Sequence, residues 1–285
     1  MSLAVATAVA SLFLPSGWRT VAQGPAGGTV WQGRIPNTFV ASDTRSSAIY
    51  LPPGYNPARR YPVIYLLHGM RGSPSSIFDA MRLPDAADRL IASGAPPFIA
   101  VMPVAGPTVH PNRGEWAGVW EDYLVQNVVP WVDQNLPTIA TAQGRALEGL
   151  CAGGFGAVDI GLRHPGLFGT LGSFEGYFAP AFRYGPFAAA TRADLRAHDP
   201  SVLLRRDAAA LQRDNVRFYL SAGGNHGQIR QSWSVAFAHE LAALRLPHEL
   251  WLLPFAESGH FWRATLPSAL SYAAAGFATR SPAPA

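Results

Sequence analysis

The sequence contains no lysine, and it has a single cysteine, Cys151. One cysteine excludes an internal disulfide and a cysteine-based metal site, so packing must hold the fold together. Charged residues make up only 14% of the 285 residues, and the net charge of +4 comes from scattered arginines. Adjacent arginines occur only at 59–60 and 205–206, so no basic stripe is present and nucleic-acid binding is not expected.

The chain has 48% hydrophobic residues, enough for one large compact domain. Short apolar runs alternate with helical patterns throughout, which predicts an α/β fold with a mostly parallel sheet and helices on both faces. We place this domain at residues 29–280 and a disordered tail at 281–285.

Residues 1–28 form an apolar segment followed by a linker that contains Gly and Pro. Leu3–Leu14 is apolar but too short to span a bilayer. We interpret it as the remnant of an export signal or the end of a membrane helix, which predicts a secreted or cell-envelope protein. The alternative is a loose helix on the domain surface.

The stretch from Gly144 to Arg163 has the pattern of a strand, a sharp turn and a helix, with Gly149-Leu150-Cys151-Ala152-Gly153 at the turn. This is the pattern of a nucleophile elbow, with Cys151 where serine is usual. Glycines allow two backbones to pass closely, and the N-terminus of the following helix stabilises a thiolate. The alternative is a chance pattern in a Gly-rich chain, with Cys151 as a small buried apolar residue.

Two other loops follow buried strands. The apolar run at 61–67 ends in His68-Gly69-Met70-Arg71-Gly72, at the edge where open α/β sheets bind ligands. The last strand, Glu249–Leu253, is followed by a loop at 254–259 that delivers His260.

These blocks together resemble the esterase D and mycolyltransferase group of α/β-hydrolases. The resemblance rests on Tyr-Pro-Val-Ile-Tyr-Leu-Leu-His-Gly at 61–69, the elbow, the run at 162–169, and Gly-His-Phe-Trp-Arg at 259–263 ahead of Leu-Pro at 266–267. It covers about residues 30–278. It implies an α/β-hydrolase fold and an acyl-transfer enzyme that acts on small-molecule esters, with water or a sugar hydroxyl as acceptor.

By this resemblance Cys151 is the nucleophile and His260 the general base. The N–H groups of Met70 and Ala152 form the oxyanion hole, and Arg71 contacts the sugar acceptor. His68 stands where mycolyltransferases have an aspartate, which weakens the case for trehalose as acceptor. A cysteine nucleophile is similar to that of dienelactone hydrolases, which share the fold.

The acidic member of the catalytic triad is the weak point. The loop after the strand at 217–222 offers Asn225 in place of the expected aspartate. A thiol needs less activation than a hydroxyl, and an amide can orient an imidazole, so Asn225 is one hypothesis. Glu175, which follows the strand after the elbow, is the second, and the absence of a third member is a further alternative. Glu148 on the elbow strand is expected to be structural.

Trp116, Tyr177 and Trp262 are candidates for lining the acyl or acceptor cleft, with packing as the alternative for each. The predicted chemistry needs no metal and no organic cofactor. The competing hypothesis is a catalytically inactive relative that keeps the cleft to bind carbohydrate or another cell-envelope ligand, since both the serine and the expected acid are replaced.

Overall fold

The computed structural model describes residues 14–106, 115–180, 187–224, 228–254 and 258–278. The predictions for Asn225, for most of the apolar segment at 3–14 and for the tail at 281–285 lie outside these residues.

The described strands form one sheet in the order β1-β2-β3-β5-β4-β6-β7-β8-β9. Pairing is antiparallel from β1 to β3 and between β3 and β5, and parallel from β5 through β4 to β9. The strands are β1 (Arg19–Gln23), β2 (Thr29–Gly33), β3 (Ser47–Leu51), β4 (Val63–Leu67), β5 (Ile99–Met102), β6 (Arg145–Leu150), β7 (Thr170–Phe174), β8 (Arg217–Gly223) and β9 (His248–Leu253).

Helices connect most of the parallel strands. They are α1 (Leu83–Ala92), α2 (Val119–Asp122), α3 (Val129–Asn135), α4 (Ala152–Arg163), α5 (Arg192–Ala197), α6 (Pro200–Arg213), α7 (Gln228–Ala243) and α8 (Gly259–Ala278), with π-helical turns at Ser76–Ala80 and Tyr123–Val128 and a 3-10 turn at Ala142–Gly144. None of the helices in the described part of the chain combines the length and apolar composition that a membrane span requires.

The central strands are buried on both faces, as their continuous apolar runs predict. Along β4, Tyr65 belongs to one apolar cluster and Ile64 to the other. Helices α1 and α8 contribute to the cluster on the Ile64 face, whereas α4, α6 and α7 contribute to the cluster on the Tyr65 face. The predicted mostly parallel sheet with helices on both faces is confirmed.

The predicted linker at 15–28 is wrong in part, because β1 lies within it and pairs with β2. The Gly- and Pro-containing run between them closes a hairpin, in which Gly24 N–H donates to the carbonyl of Gly28 at 2.8 Å. Buried Asp88 of α1 accepts from the N–H of Ala26 at 2.7 Å and of Gly28 at 3.2 Å. A side chain distant in sequence therefore orders a segment whose composition is typical of a linker.

His260 lies on a helix and not in the predicted loop, because α8 begins at Gly259. Ser258 precedes this helix, and its hydroxyl accepts from the N–H of Phe261 at 3.3 Å. A serine in that position satisfies one of the N–H groups that a helix start leaves unpaired. The imidazole is therefore carried by the first turn of α8.

Candidate active site

Cys151 occupies the turn between β6 and α4 with φ 55° and ψ −115°. A residue other than glycine rarely adopts positive φ, and such strain persists only when its surroundings enforce it. Here the Cys151 N–H donates to the carbonyl of Phe174 on the neighbouring strand at 2.8 Å. The cysteine is partly exposed, so its side chain is not sealed in the core. The predicted strand–turn–helix geometry is present.

Two glycines make this turn possible. A Cβ atom on Gly149 would lie 2.3 Å from the carbonyl oxygen of Gly153, and one on Gly153 would lie 2.2 Å from the carbonyl oxygen of Leu67. Both distances are far inside van der Waals contact with backbone atoms that cannot move away. The helix α4 can therefore approach β6 and β4 closely only because neither position has a side chain.

A cleft of about 310 Å³ opens above the turn. Its walls include four of the residues predicted for the site. The lining residues are Gly69, Met70, Arg71, Gly72, Ser76, Ala80, Met81, Leu150, Cys151, Gly259 and Trp262. The structure thus brings together Cys151, Met70, Arg71 and Trp262 at the carboxyl edge of the sheet.

His260 lies in the chain between two residues that line the same cleft. Its neighbour Gly259 and, two residues on, Trp262 both line the cleft beside Cys151. The His260 side chain is exposed to solvent. The histidine is therefore carried by a helix whose first turn borders the cleft that Cys151 lines, and its role as the general base stays a prediction.

The predicted oxyanion donors flank the cysteine. Ala152 is the first residue of α4, where the backbone N–H groups lack partners within the helix. Gly69 runs so close to the turn that an added Cβ would lie 3.3 Å from the Cβ of Cys151. Met70, the next residue, lines the cleft.

The His68 side chain holds the backbone of the loop at 68–72 by hydrogen bonds. The ring is buried, its Nδ1–H donates to the carbonyl of Gly69 at 2.9 Å, and its Nε2 accepts from the N–H of Ala105 at 3.1 Å. Burial lowers the pKa of His68 to about 4, so the ring is neutral near pH 7. His68 therefore positions the backbone beside the thiol.

Arg230, on the first turn of α7, is the residue of this site that sequence reasoning missed. Its Nη1 lies 3.4 Å from the Cys151 sulfur and donates to the Glu175 carbonyl at 3.2 Å. The only available signal was its position, three residues after the glycine-rich loop that follows β8. An arginine at the carboxyl edge of the sheet can place a positive charge in the site even when no sequence motif marks it.

Glu175 follows β7 and is fully buried, with φ 55°. Its Oε1 accepts a short hydrogen bond from the N–H of Gly223, and its Oε2 lies 4.0 Å from Nη1 of Arg230. The carboxylate therefore lies close to the guanidinium that contacts the thiol. The structure brings Glu175 into the site.

Trp116 and Tyr177 do not line this cleft. Trp116 has no exposed surface, and its indole N–H donates to the His68 carbonyl at 2.9 Å. Tyr177 is 1% exposed, and its hydroxyl contacts both carboxylate oxygens of Glu115 at 2.6 Å. The prediction of substrate contact is wrong for Trp116, which packs behind the cleft, and Tyr177 borders a separate apolar cavity.

Comparison with known proteins agrees with this geometry. Residues 41–261 match the family model named Esterase. The chain is 31% identical over 135 residues to an esterase of Mycobacterium tuberculosis, which covers 45% of this chain and 28% of the relative. It is 33% identical over 151 residues to an endo-1,4-beta-xylanase/feruloyl esterase of Xylanibacter ruminicola, which covers 49% of this chain and 21% of the relative. The chain therefore spans about a quarter of the length of these relatives.

Among solved structures, a ferulic acid esterase superposes with a TM-score of 0.77 at 22% identity, over 88% of this chain and 99% of the other. At that identity the likeness shows the fold, which is the α/β-hydrolase fold predicted above. The family match extends over most of the chain and includes the turn at Cys151. The chain belongs to the Esterase family.

Proposed function

We propose that this protein hydrolyses carboxylic esters with Cys151 as the nucleophile. The observation that carries the proposal is the placement of the Cys151 sulfur. It is held at a strained turn in an open cleft, at the N-terminus of α4 and 3.4 Å from the Arg230 guanidinium. Helix N-termini and neighbouring cations favour thiolate over thiol, and the thiolate is the nucleophile.

The reaction has two halves. In the first, the Cys151 thiol transfers its proton to His260 and the thiolate adds to the ester carbonyl. The N–H groups of Met70 and Ala152 bind the oxyanion, and the intermediate expels the alkoxide to form a thioester. The departing alkoxide takes a proton from the His260 imidazolium. In the second, His260 removes a proton from water, which attacks the thioester, releases the carboxylic acid and restores the thiol group. A sugar hydroxyl in place of water would make the same enzyme an acyltransferase.

Arg230 and Glu175 activate the nucleophile in a different way from the expected aspartate. The guanidinium stabilises the thiolate directly, and Glu175 holds the guanidinium in place through its carbonyl and carboxylate. Orientation of His260 by Asn225 or by Glu175 remains part of the proposal. Arg71 and Trp262, at the mouth of the cleft, are proposed to contact the acyl or acceptor group.

The cleft and the relatives support a substrate class for this proposal. A cleft of about 310 Å³ fits a small acyl ester. One relative is named a feruloyl esterase, so the first natural substrates to test are esters of aromatic acids with sugars. A secreted or cell-envelope location is consistent with such substrates.

The proposal is tested with p-nitrophenyl acetate and methyl ferulate. We expect the wild type to hydrolyse at least one of them and the Cys151→Ala variant to lose at least about a thousandfold in kcat, as removal of a nucleophile does in hydrolases. Ser76→Ala is the matched control, because Ser76 is a second nucleophilic side chain on the cleft wall. Intact-mass detection of an acylated Cys151 would identify the intermediate. Equal background release by wild type and Cys151→Ala would instead support an inactive relative that binds carbohydrate.

Thiol reactivity tests the role of Arg230. The rate at which iodoacetamide alkylates Cys151 rises with pH as the thiol ionises. We expect the midpoint of this rise to lie about one pH unit or more higher in the Arg230→Met variant than in the wild type, because a cation beside a thiol stabilises its ionised form. Arg230→Lys keeps the charge and should restore most of the wild-type profile. Identical profiles for wild type and Arg230→Met would contradict this role.

A further inference from the structure

A second group of polar side chains lies away from the cleft, against the far half of α4. Glu121 is on α2, Asp159 on the third turn of α4, and His198 caps the C-terminus of α5. One ligand atom from each lies within 4.8 Å of the other two. The carboxyl groups are buried, and His198 is half-buried with a side chain 15% exposed.

Asp159 shows that this group is incomplete as described. It has no exposed surface, and its Oδ2 lies 2.7 Å from Nδ1 of His198. Its Oδ1 is buried and has no hydrogen-bond partner among the described residues. A buried carboxylate oxygen without a partner is unfavourable unless a proton or a cation completes it. The cluster therefore contains a buried acceptor without a partner on a residue that lies beside two other potential ligands.

The charged groups around the cluster are compatible with a bound cation. Arg163 Nε and His164 Nε2 both contact Oε1 of Glu121 at 2.8 Å, so a metal would use the other oxygen. Glu115 is also close enough to affect Asp159 electrostatically. Three carboxyl groups thus lie near one permanent positive charge, that of Arg163, and near the imidazoles of His164 and His198.

We propose that Glu121, Asp159 and His198 bind a divalent transition-metal ion of the zinc class, with water as the remaining ligand. Two carboxylates and one imidazole form a donor set that suits zinc or manganese. Zinc–ligand distances of about 2.0–2.2 Å place neighbouring ligands about 3.3 Å apart, so the three side chains need shifts of roughly 1.5 Å or less. Binding displaces the proton shared by Asp159 and His198.

The bound ion has a structural consequence. It would tie α5, in which no residue is buried, to the elbow helix α4 and to α2. The ligands of this site are separated by 38 or more residues in the chain, so they leave none of the short spacings of known metal motifs.

The test measures the metal directly. Untagged, chelator-treated protein carrying Cys151→Ser, which removes the only thiol, is titrated with Zn²⁺ by calorimetry and by dialysis with elemental analysis. We expect saturable binding of one ion per chain and a rise in Tm of about 5 °C at a hundredfold excess over Kd. Because the readout is binding and stability, it is independent of esterase activity.

Variants locate the ion. In the same background, His198→Ala and Glu121→Gln should each weaken Zn²⁺ binding at least tenfold, whereas His239→Ala, which removes an exposed histidine on α7, should not. Co²⁺ in place of Zn²⁺ should give visible d–d absorption that His198→Ala abolishes. Absence of saturable binding, or binding that survives His198→Ala and Glu121→Gln unchanged, would overturn the proposal.

Discussion

Glu148 and Glu175 are both fully buried, yet their surroundings are opposite. Glu148 lies within β6, and neither carboxylate oxygen has a hydrogen-bond partner among the described residues. Burial raises its pKa to about 8. Glu175, one residue beyond β7, accepts from the Gly223 N–H and lies beside Arg230.

The difference follows from their positions in the sheet. Inside the sheet the backbone N–H groups are used by the ladders, so Glu148 has no donor and retains a proton near pH 7. At the carboxyl edge the strands have ended, and loop N–H groups and the first turn of α7 face the side chain. An anion can therefore be held where Glu175 lies, and this is also where Cys151 would react.

The largest effect expected from this comparison is the contribution of Glu148 to the pH dependence of the free energy of unfolding. An unfolded glutamate titrates near 4.5 and the folded one near 8, so between these values the folded state binds more protons and stability falls as pH rises. The loss is about 1.4 kcal/mol per pH unit, or about 3 kcal/mol between pH 4.5 and pH 7. Glu148→Met removes the titrating group with little change in volume.

Urea unfolding at several pH values checks this expectation. The stability advantage of Glu148→Met over wild type should grow by about 3 kcal/mol from pH 4.5 to pH 7. Ionisations elsewhere in the chain are common to both proteins and cancel in the difference. A difference that does not change with pH would mean that Glu148 has a partner when folded.

The second prediction concerns Glu175. Glu175→Gln keeps an acceptor for the Gly223 N–H but removes the charge that holds Arg230, so we expect kcat/KM for p-nitrophenyl acetate to fall about a hundredfold, a loss of roughly 2.7 kcal/mol. Glu148→Gln, the same change on the neighbouring strand, should leave kcat/KM within about twofold. Equal losses in the two variants would show that both act through the fold alone.

Features built from residues that are close together in the chain could be predicted from the sequence. The turn at Cys151 was predictable, because Gly149 and Gly153 are required by close backbone contacts and leave a pattern. The buried strands were predictable from their continuous apolar runs. Both features depend on residues that are neighbours in the chain.

Features built from distant residues left no pattern. Arg230 reaches Cys151 across 79 positions, and Asp88 orders the hairpin after β1 from 60 positions away. Tertiary contacts decided both of these outcomes. His260 was predicted to follow a loop at 254–259, but the helix that carries it already begins at Gly259, where the Ser258 hydroxyl caps the first turn.

The smallest expected effect tests why Glu148 is tolerated in the core. Gly172 on β7 makes room for it, because a Cβ added there would lie 2.7 Å from the Glu148 Cγ atom. Gly172→Ala should therefore destabilise the wild type by about 1–3 kcal/mol through overpacking. In a Glu148→Ala background the contact with Cγ is gone and only the 3.0 Å contact with the Cβ atom remains, so the cost should fall to about 1 kcal/mol or less. A double-mutant cycle by urea unfolding at pH 5, where the carboxyl is protonated, measures the coupling between the two sites. If Gly172→Ala costs the same in both backgrounds, the strand needs glycine for a reason unrelated to Glu148, and the two residues are not matched to each other.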